Sequence, residues 1–368
     1  MSSSEPISFA RGAPSLDIVD VEGLRAAADR AFSSDPGGAF SYGTAIGYPP
    51  LREWIAERHR VEPSRVIVTN GSMQADAFLF EVAVGAGDAV VVERPTYDRT
   101  LLSLRGRGAE LHAIDLDEDG IDVDELARRL DGGLRPRLAH IIPNFQNPAG
   151  FTLSRQRRDR LLDLARRFEM LIFEDDPYVA LRFRGETLPT MLDLDEGKGN
   201  VVYASSFSKT VCPGIRVGYL VGPEELIADV RKLATNTYIS PSMVAEAIVN
   251  EFCRGGALQR SIETVKGALA QRAERLCAAL GRELPDARFT SPEGGYFLWV
   301  QLPEGTDGDA LFEAAAQRGV QFVKGSDFML EGGRDQLRLA YSGVTPDQIE
   351  EGVRRLAAAY RSPGIYGP

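Results

Sequence analysis

Asn200-Val201-Val202-Tyr203-Ala204-Ser205-Ser206-Phe207-Ser208-Lys209-Thr210 runs from a β-like segment into a lysine, and Pro213-Gly214-Ile215-Arg216-Val217-Gly218 follows. A surface lysine usually sits among charges on a helix. Lys209 sits among hydroxyls, glycines and apolar residues, with an arginine close behind. A lysine held in a partly dry, cation-rich pocket can lose its proton and attack a carbonyl carbon. Taken alone, the segment fits a plain loop lysine after a core strand equally well.

The flanking segments set the fold class. Strand-like runs recur at 65–69, 89–93, 110–114, 138–143, 170–174, 200–205 and 216–221. Helix-like runs fill 73–84, 97–107, 123–130, 154–168 and 224–235. Strands that are β-branched and apolar throughout, separated by helices, indicate a buried, mainly parallel sheet covered on both faces. The expected fold is α/β, a three-layer, mainly parallel, seven-stranded sheet with a smaller α+β C-terminal domain. Helical stretches at 241–253 and 259–284 lead into that smaller domain, the long second one joining it to the rest. Its β-rich part covers 287–291, 295–301, 320–324 and 336–340, and a helix over 345–361 closes it. The expected division is an N-terminal arm, 1–39, packing on the small domain, then a large domain, 40–255, and the small domain, 256–368. The Pro-Gly ending from Ser362 reads as a loose tail.

Composition narrows the function. The 368 residues are 43% hydrophobic and 26% charged, an ordinary globular profile with ample material for a core. A formal charge of −11 and a pI near 5.0 disfavour nucleic acid as a partner, because neutralising phosphates needs a basic face. No apolar run approaches the roughly 20 residues that span a bilayer. Residues 1–10 lack an apolar signal core, so no membrane partner and a cytoplasmic location are expected. Cys212, Cys253 and Cys277 lie far apart, and the histidines are His59, His112 and His140. Neither a disulfide framework nor a metal centre is expected.

Four further motifs stand just beyond strand-like runs. Gly71-Ser72-Met73-Gln74 opens a helix, and a glycine turn there exposes backbone N–H groups to an anion. It could equally be an ordinary strand-to-helix turn. In Glu93-Arg94-Pro95-Thr96-Tyr97 the tyrosine ring could lie on a flat heterocycle or pack on the core edge. In Asn144-Phe145-Gln146-Asn147-Pro148-Ala149-Gly150 the Asn-Pro pair shapes a turn and aims the Asn147 amide outward. In Phe173-Glu174-Asp175-Asp176-Pro177-Tyr178 carboxylates stand at the mouth of a buried sheet, where each needs a partner. A cationic ring nitrogen would be one; helix capping, with Glu174 or Asp176 solvated, is the other reading.

With the Lys209 segment, five motifs gather at strand ends of one sheet, where open α/β sheets bind ligands. They supply a phosphate cradle, a stacking ring, an amide donor, a carboxylate and a nucleophilic lysine. Pyridoxal 5'-phosphate needs that set of contacts.

Phe40-Ser41-Tyr42-Gly43, Gly47-Tyr48-Pro49-Pro50-Leu51-Arg52, Gly294-Gly295-Tyr296-Phe297 and Leu337-Arg338-Leu339 extend the pattern in order. Over nearly its whole length the chain resembles the fold-type I pyridoxal-phosphate-dependent class I/II aminotransferases. It is most similar in pattern to 2-aminoadipate/kynurenine-type aminotransferases and to the aminotransferase-like domain of MocR regulators. A regulator is the less expected of these, because the sequence carries no DNA-binding segment ahead of the match.

The resemblance implies roles. Lys209 would hold the cofactor as a Schiff base and move the substrate proton. Asp175 would pair with the pyridine nitrogen, Asn147 and Tyr178 with the O3′ oxygen, and Tyr97 would stack on the ring. Ser72, the Ser72 and Met73 amides, Ser206, Ser208 and Arg216 would hold the phosphate; a bidentate guanidinium suits that task. Tyr42 would reach the phosphate of the neighbouring subunit, which implies a homodimer with shared active sites. Arg338 would bind the substrate α-carboxylate beside Asn147, and Gly12 would offer backbone to it as the arm closes. Arg11 would select an acidic substrate side chain or serve only at the surface. Met73 and Ala149 depart from the family pattern, Met73 at a position often polar and Ala149 where threonine is common. Cys212 reads as a packed residue.

The expected activity moves the amino group of an L-amino acid to a 2-oxo acid, such as 2-oxoglutarate, through a Lys209 aldimine. The alternatives are a pyridoxal-phosphate-dependent lyase, cyclase or oxidase acting on an amino acid, or a sensor that binds the cofactor without turnover.

Overall fold

The computed structural model describes residues 6–365, and expectations for residues 1–5 and 366–368 lie outside them. In chain order the strands are β1 (Ile7–Ser8), β2 (Val66–Thr69), β3 (Ala89–Arg94), β4 (Glu110–Asp117), β5 (Gly120–Ile121), β6 (Leu138–Ile141) and β7 (Leu171–Asp175). They continue as β8 (Val201–Ser206), β9 (Gly218–Val221), β10 (Phe297–Gln301), β11 (Val320–Gln321), β12 (Val323–Lys324) and β13 (Gln336–Ala340).

The main sheet has the order β2-β9-β8-β7-β6-β3-β4-β5. From β4 to β8 neighbouring strands run parallel. β9 runs antiparallel to both β8 and β2. The sheet therefore has eight strands and not seven. The extra one, β5, is a two-residue antiparallel return on β4, formed where Glu118-Asp119-Gly120 turns the chain back at the sheet edge.

Alternation along the strands explains the two covered faces. Val91 and Tyr203 join one core with Leu51 and Ile55 of the helix Pro49–His59 and with Leu161 of the helix Arg155–Phe168. Val90, Val92, Val202 and Ala204 join the other with Leu79 of the helix Ser72–Ala83 and Val230 of the helix Glu224–Tyr238. A third core surrounds the antiparallel sheet β10-β13-β12. The helix Ala257–Glu283 links the regions: Leu258 and Ile262 pack in the first core, Leu269 and Leu276 in the third.

The arm divides between these cores. β1 pairs with β11, and Phe9 and Ile18 are buried with the small sheet. The helix Val21–Ser34, capped by Asp20, instead lies against the helix Met243–Arg254 of the large region. Ala27 and Ala31 on one face permit that close approach. The arm expected on the small domain thus reaches both regions. The expected loose tail is corrected over 362–365: Ile365 is buried and its carbonyl accepts from the Asp307 amide at 2.7 Å. The segment 287–291 contributes one bridge, Arg288 to Gln301, and no strand. The segment 320–324 breaks into β11 and β12 at the buried Phe322.

The same alternation settles the three carboxylates at the end of β7, Glu174, Asp175 and the following Asp176. Glu174 and Asp176 turn away from Asp175 and are fully buried, not solvated. Glu174 accepts from the Met191 and Leu192 amides at 2.8 and 2.9 Å. Asp176 Oδ2 accepts from Asn144 Nδ2 at 2.8 Å, and Asn144 Oδ1 accepts from Arg158 at 2.9 Å. Arg158 also donates to the carbonyls of Leu153, Pro189 and Pro143. Removing it strands several buried acceptors. Arg158→Met should lower the unfolding free energy by about 3–5 kcal/mol, read from a denaturant midpoint. An unchanged midpoint would contradict the network.

Candidate active site

A cavity of about 680 Å³ opens at the carboxyl ends of β3, β6, β7 and β8. Of the residues expected to hold cofactor or substrate, only Tyr42 is off its wall; it is 90% exposed. The chain reaches this place because each parallel strand ends in a loop that returns across the sheet top. Two of those loops are clamped together. Gln146 Nε2 donates to Glu93 Oε2 at 3.0 Å and to the Pro95 carbonyl at 2.8 Å. The Ile142 amide donates to the same Glu93 oxygen at 3.1 Å. Burial pushes the Glu93 carboxyl up to about 8. Tyr97 and Asn147 therefore stand on braced turns.

One end of the cavity is built for an anion. Gly71, at a φ of 85°, precedes the helix Ser72–Ala83, and no side chain caps the first-turn amides. A Cβ on Gly218 would collide with the Ser72 amide, so β9 can approach only as glycine. Ser206 Oγ donates to Ser208 Oγ at 3.0 Å, and Arg216 Nη1 donates to Ser208 Oγ at 3.1 Å. Uncapped amides, two hydroxyls and a guanidinium converge there.

Lys209 occupies the middle, partly buried. Its Nζ lies 5.6 Å from the Tyr178 ring centre and 5.3 Å from that of Tyr296, and it donates to the Gly12 carbonyl at 2.7 Å. Burial, then the Arg338 and Arg216 charges, pull its ammonium down to about 8, while Asp175 opposes them. Asp175 Oδ1 is buried with no partner among the described residues. Its Oδ2 lies 3.5 Å from His140 Nε2.

The opposite end holds Arg338, which is 6% exposed. Its guanidinium lies over the Phe297 and Phe328 rings, 4.3 and 4.8 Å from their centres. Nη1 donates to Asn147 Oδ1 at 2.8 Å and Nη2 to the Ala10 carbonyl at 2.6 Å, while Nε is buried and unpartnered. Arg338 therefore lines the cavity. Gly12 meets Lys209 through its carbonyl, and a side chain there would strike Phe297. Met73 Sδ accepts from the Tyr97 hydroxyl at 3.8 Å, so it supports the ring-side residue. Arg11 is exposed at the rim.

His140 and Asp76 were not anticipated as site residues. His140 lies within a strand buried at every position, and its only sequence signal is a polar residue next to the last position of an apolar run. Asp76 is an acid between Ala75 and Ala77, ahead of the apolar run Phe78-Leu79-Phe80, and that placement is its sequence signal.

Sequence and structure comparisons agree on the family. The pattern that defines aminotransferases of class I and II matches residues 4–356. The chain is 34% identical over 366 residues to aromatic-amino-acid aminotransferase 1 of Thermococcus litoralis, covering 96% of this chain and 88% of that one. It is 34% identical over 359 residues to the 2-aminoadipate transaminase of Thermus thermophilus, covering 96% and 90%. An α-aminoadipate aminotransferase from Thermus thermophilus, solved with N-(5'-phosphopyridoxyl)-L-leucine, superposes with a TM-score of 0.92 at 33% identity, covering 96% and 92%. The chain belongs to the class I and II aminotransferases, fold-type I enzymes that use pyridoxal 5'-phosphate to transfer amino groups of amino acids. The cavity fits that cofactor: the unpartnered Asp175 oxygen suits a ring N–H, and the uncapped amides beside Arg216 suit a phosphate.

The Lys209 amine yields a pH prediction. Its proton is lost near pH 8, so loading of cofactor-free protein with pyridoxal phosphate should accelerate up to about pH 8 and then level off. Arg338→Met removes a nearby cation and should move that midpoint upward. A loading rate still climbing steeply above about pH 9 in the parent protein would contradict the lowered value. Stopped-flow absorbance measures it.

Proposed function

We propose that Lys209 carries the cofactor and serves as the acid–base group of an amino-acid:2-oxo-acid aminotransferase, with Asp175 and Arg338 as its two fixed partners. One observation carries this reading. A lysine whose proton is easily lost stands between a buried, unpartnered carboxylate oxygen and a buried arginine with an unpartnered Nε. When bound, pyridoxal 5'-phosphate supplies an aldehyde that condenses with amines and a ring that withdraws the electron pair left at the substrate Cα. Asp175 holds the ring nitrogen protonated. Asn147 and Tyr178 hydrogen-bond the ring oxygen, and Tyr97 covers the ring face. Ser72, the Ser72 and Met73 amides, Ser206, Ser208 and Arg216 hold the phosphate. Lys209 Nζ accepts the Cα proton and gives it back.

Arg338 binds the substrate α-carboxylate, and its aromatic walls keep that contact dry. To do so it exchanges the Ala10 carbonyl for the carboxylate, and Lys209 gives up the Gly12 carbonyl. The arm thus moves with each substrate. The rim carries Arg11 and Arg99 with Asp98 and Asp327, and we assign the side chain of the substrate to it, with Arg11 the partner of an acidic one. The relatives are named for amino transfer, which favours transfer over elimination, cyclisation, oxidation or ligand sensing. A domain division near residue 255, with the arm 1–39 apart, is likewise our proposal. The change of core along the helix Ala257–Glu283 supports it.

We further propose a homodimer with shared sites, in the cytoplasm. Tyr42, Ile239 and Val244 are exposed apolar or aromatic side chains. Ile239 and Val244 flank Ser242, whose amide donates to Asn70 Oδ1 beside the anion end, and Gly43 next to Tyr42 lies against Met243. A covered face there fits them. Among the described residues no helix is long and apolar enough to cross a membrane.

Four outcomes follow. Adding an amino donor to holoenzyme should shift its absorbance to the amine form of the cofactor, and a 2-oxo acid should reverse it. Lys209→Ala should stop multiple turnovers, and retained turnover would sink the proposal. Arg338→Met should raise KM for donor and acceptor about 100-fold, with cofactor absorbance preserved; an unchanged KM would remove Arg338 from the carboxylate site. Tyr42→Phe should weaken cofactor binding although Tyr42 is off its own cavity. Unaltered binding, or a monomer by sedimentation, would contradict the shared site.

A further inference from the structure

A second buried carboxyl lines the cavity. Asp76 lies one turn into the helix Ser72–Ala83 and is 8% exposed. Ala75, Phe78, Leu79 and Phe80 around it belong to the core. An acid in such a place is unfavourable unless something answers its charge. Asp76 Oδ1 is buried and has no partner among the described residues; Asp175 Oδ1 is in the same condition. The charged group that acts on Asp76 is Asp175 from β7, and Asp76 in turn acts on Tyr97 from the turn after β3. His140 of β6 stands behind Asp175. Burial and the Asp175 charge push the Asp76 carboxyl well above its usual range. Two neighbouring acids with unanswered oxygens form a receptor for one N–H-bearing cation, and without it Asp76 keeps a proton.

We propose that Asp76 is a second anchor for the ring-nitrogen end of the cofactor, acting with Asp175 as a paired-carboxylate receptor. The inference rests on the Asp175 role proposed above. In the empty protein Asp76 carries a proton. On loading, that proton ends on the ring nitrogen, and the two carboxylates flank a single N–H⁺. No electron moves. Asp76 is a positioning residue, since it sets how firmly the ring is held protonated.

The pair has a signature with opposite signs. The folded empty protein keeps a proton that the unfolded chain has shed. Its stability therefore falls as pH rises above the ordinary carboxylate range, toward the raised value. Asp76→Asn removes that repulsion, so cofactor-free protein should melt higher at about pH 8 and lose less of its melting temperature between about pH 5 and 8. The same substitution should weaken pyridoxal phosphate binding about tenfold, followed by absorbance titration. A merely structural aspartate would lower both quantities. Asp76→Ser serves where the asparagine variant fails to melt cooperatively. Parent-like affinity together with a parent-like melting profile would overturn the proposal, and so would a loss of both. Asp175→Asn separates the two readings. If it leaves affinity and absorbance unchanged, the Asp175 role itself fails; if it alters them while Asp76→Asn does not, only the present inference fails.

Discussion

Charge that is buried before its partner arrives governs this molecule. Lys209, Arg216 and Arg338 line one cavity, and the first and last of these lose part of their hold on a proton through burial. Cations in a row repel one another. Here they are held by backbone carbonyls: Gly12 for the lysine, Ala10 for Arg338, Pro213 and Asn70 for Arg216. Carbonyls satisfy N–H groups without cancelling the charge. The cavity thus keeps a standing demand for anions, which a phosphate and a carboxylate meet.

The rest of the fold keeps these groups from collapsing onto acids. Glu174 and Asp176 are drawn to the other side of β7 and spent on amides and on the Asn144–Arg158 network. Glu93 is taken by Gln146. Asp175 is left with a free oxygen on the cavity side. The Tyr296 hydroxyl fixes the Lys209 carbonyl at 2.9 Å, so the small sheet steadies the lysine turn of the large one. The Thr96 amide donates to the Phe328 carbonyl at 2.9 Å and ties the Tyr97 turn to the same region.

The sheet was legible because β2, β6, β8 and β9 are buried at every position and, His140 apart, are apolar or aromatic up to their polar ends. Lys209, Asp175 and Asn147 were legible because their motifs stand at the ends of those runs. The helix Val21–Ser34 was missed because its buried face is only Ala27 and Ala31, too small a pattern to show. β5 was missed because two residues carry no period. The bond between Lys209 and Gly12 spans 197 positions, and no local pattern encodes it. The burial of Glu174 and Asp176 depends on Arg158 in the preceding helix, and is likewise a tertiary fact.

Reduction of the holoenzyme with borohydride, followed by peptide mapping, tests the central claim most directly. The reduction freezes any imine between the cofactor and an amine. The account predicts a phosphopyridoxyl group on Lys209 and on no other lysine. Its attachment to a different lysine, or a reduced protein that releases all its cofactor on unfolding, would contradict it.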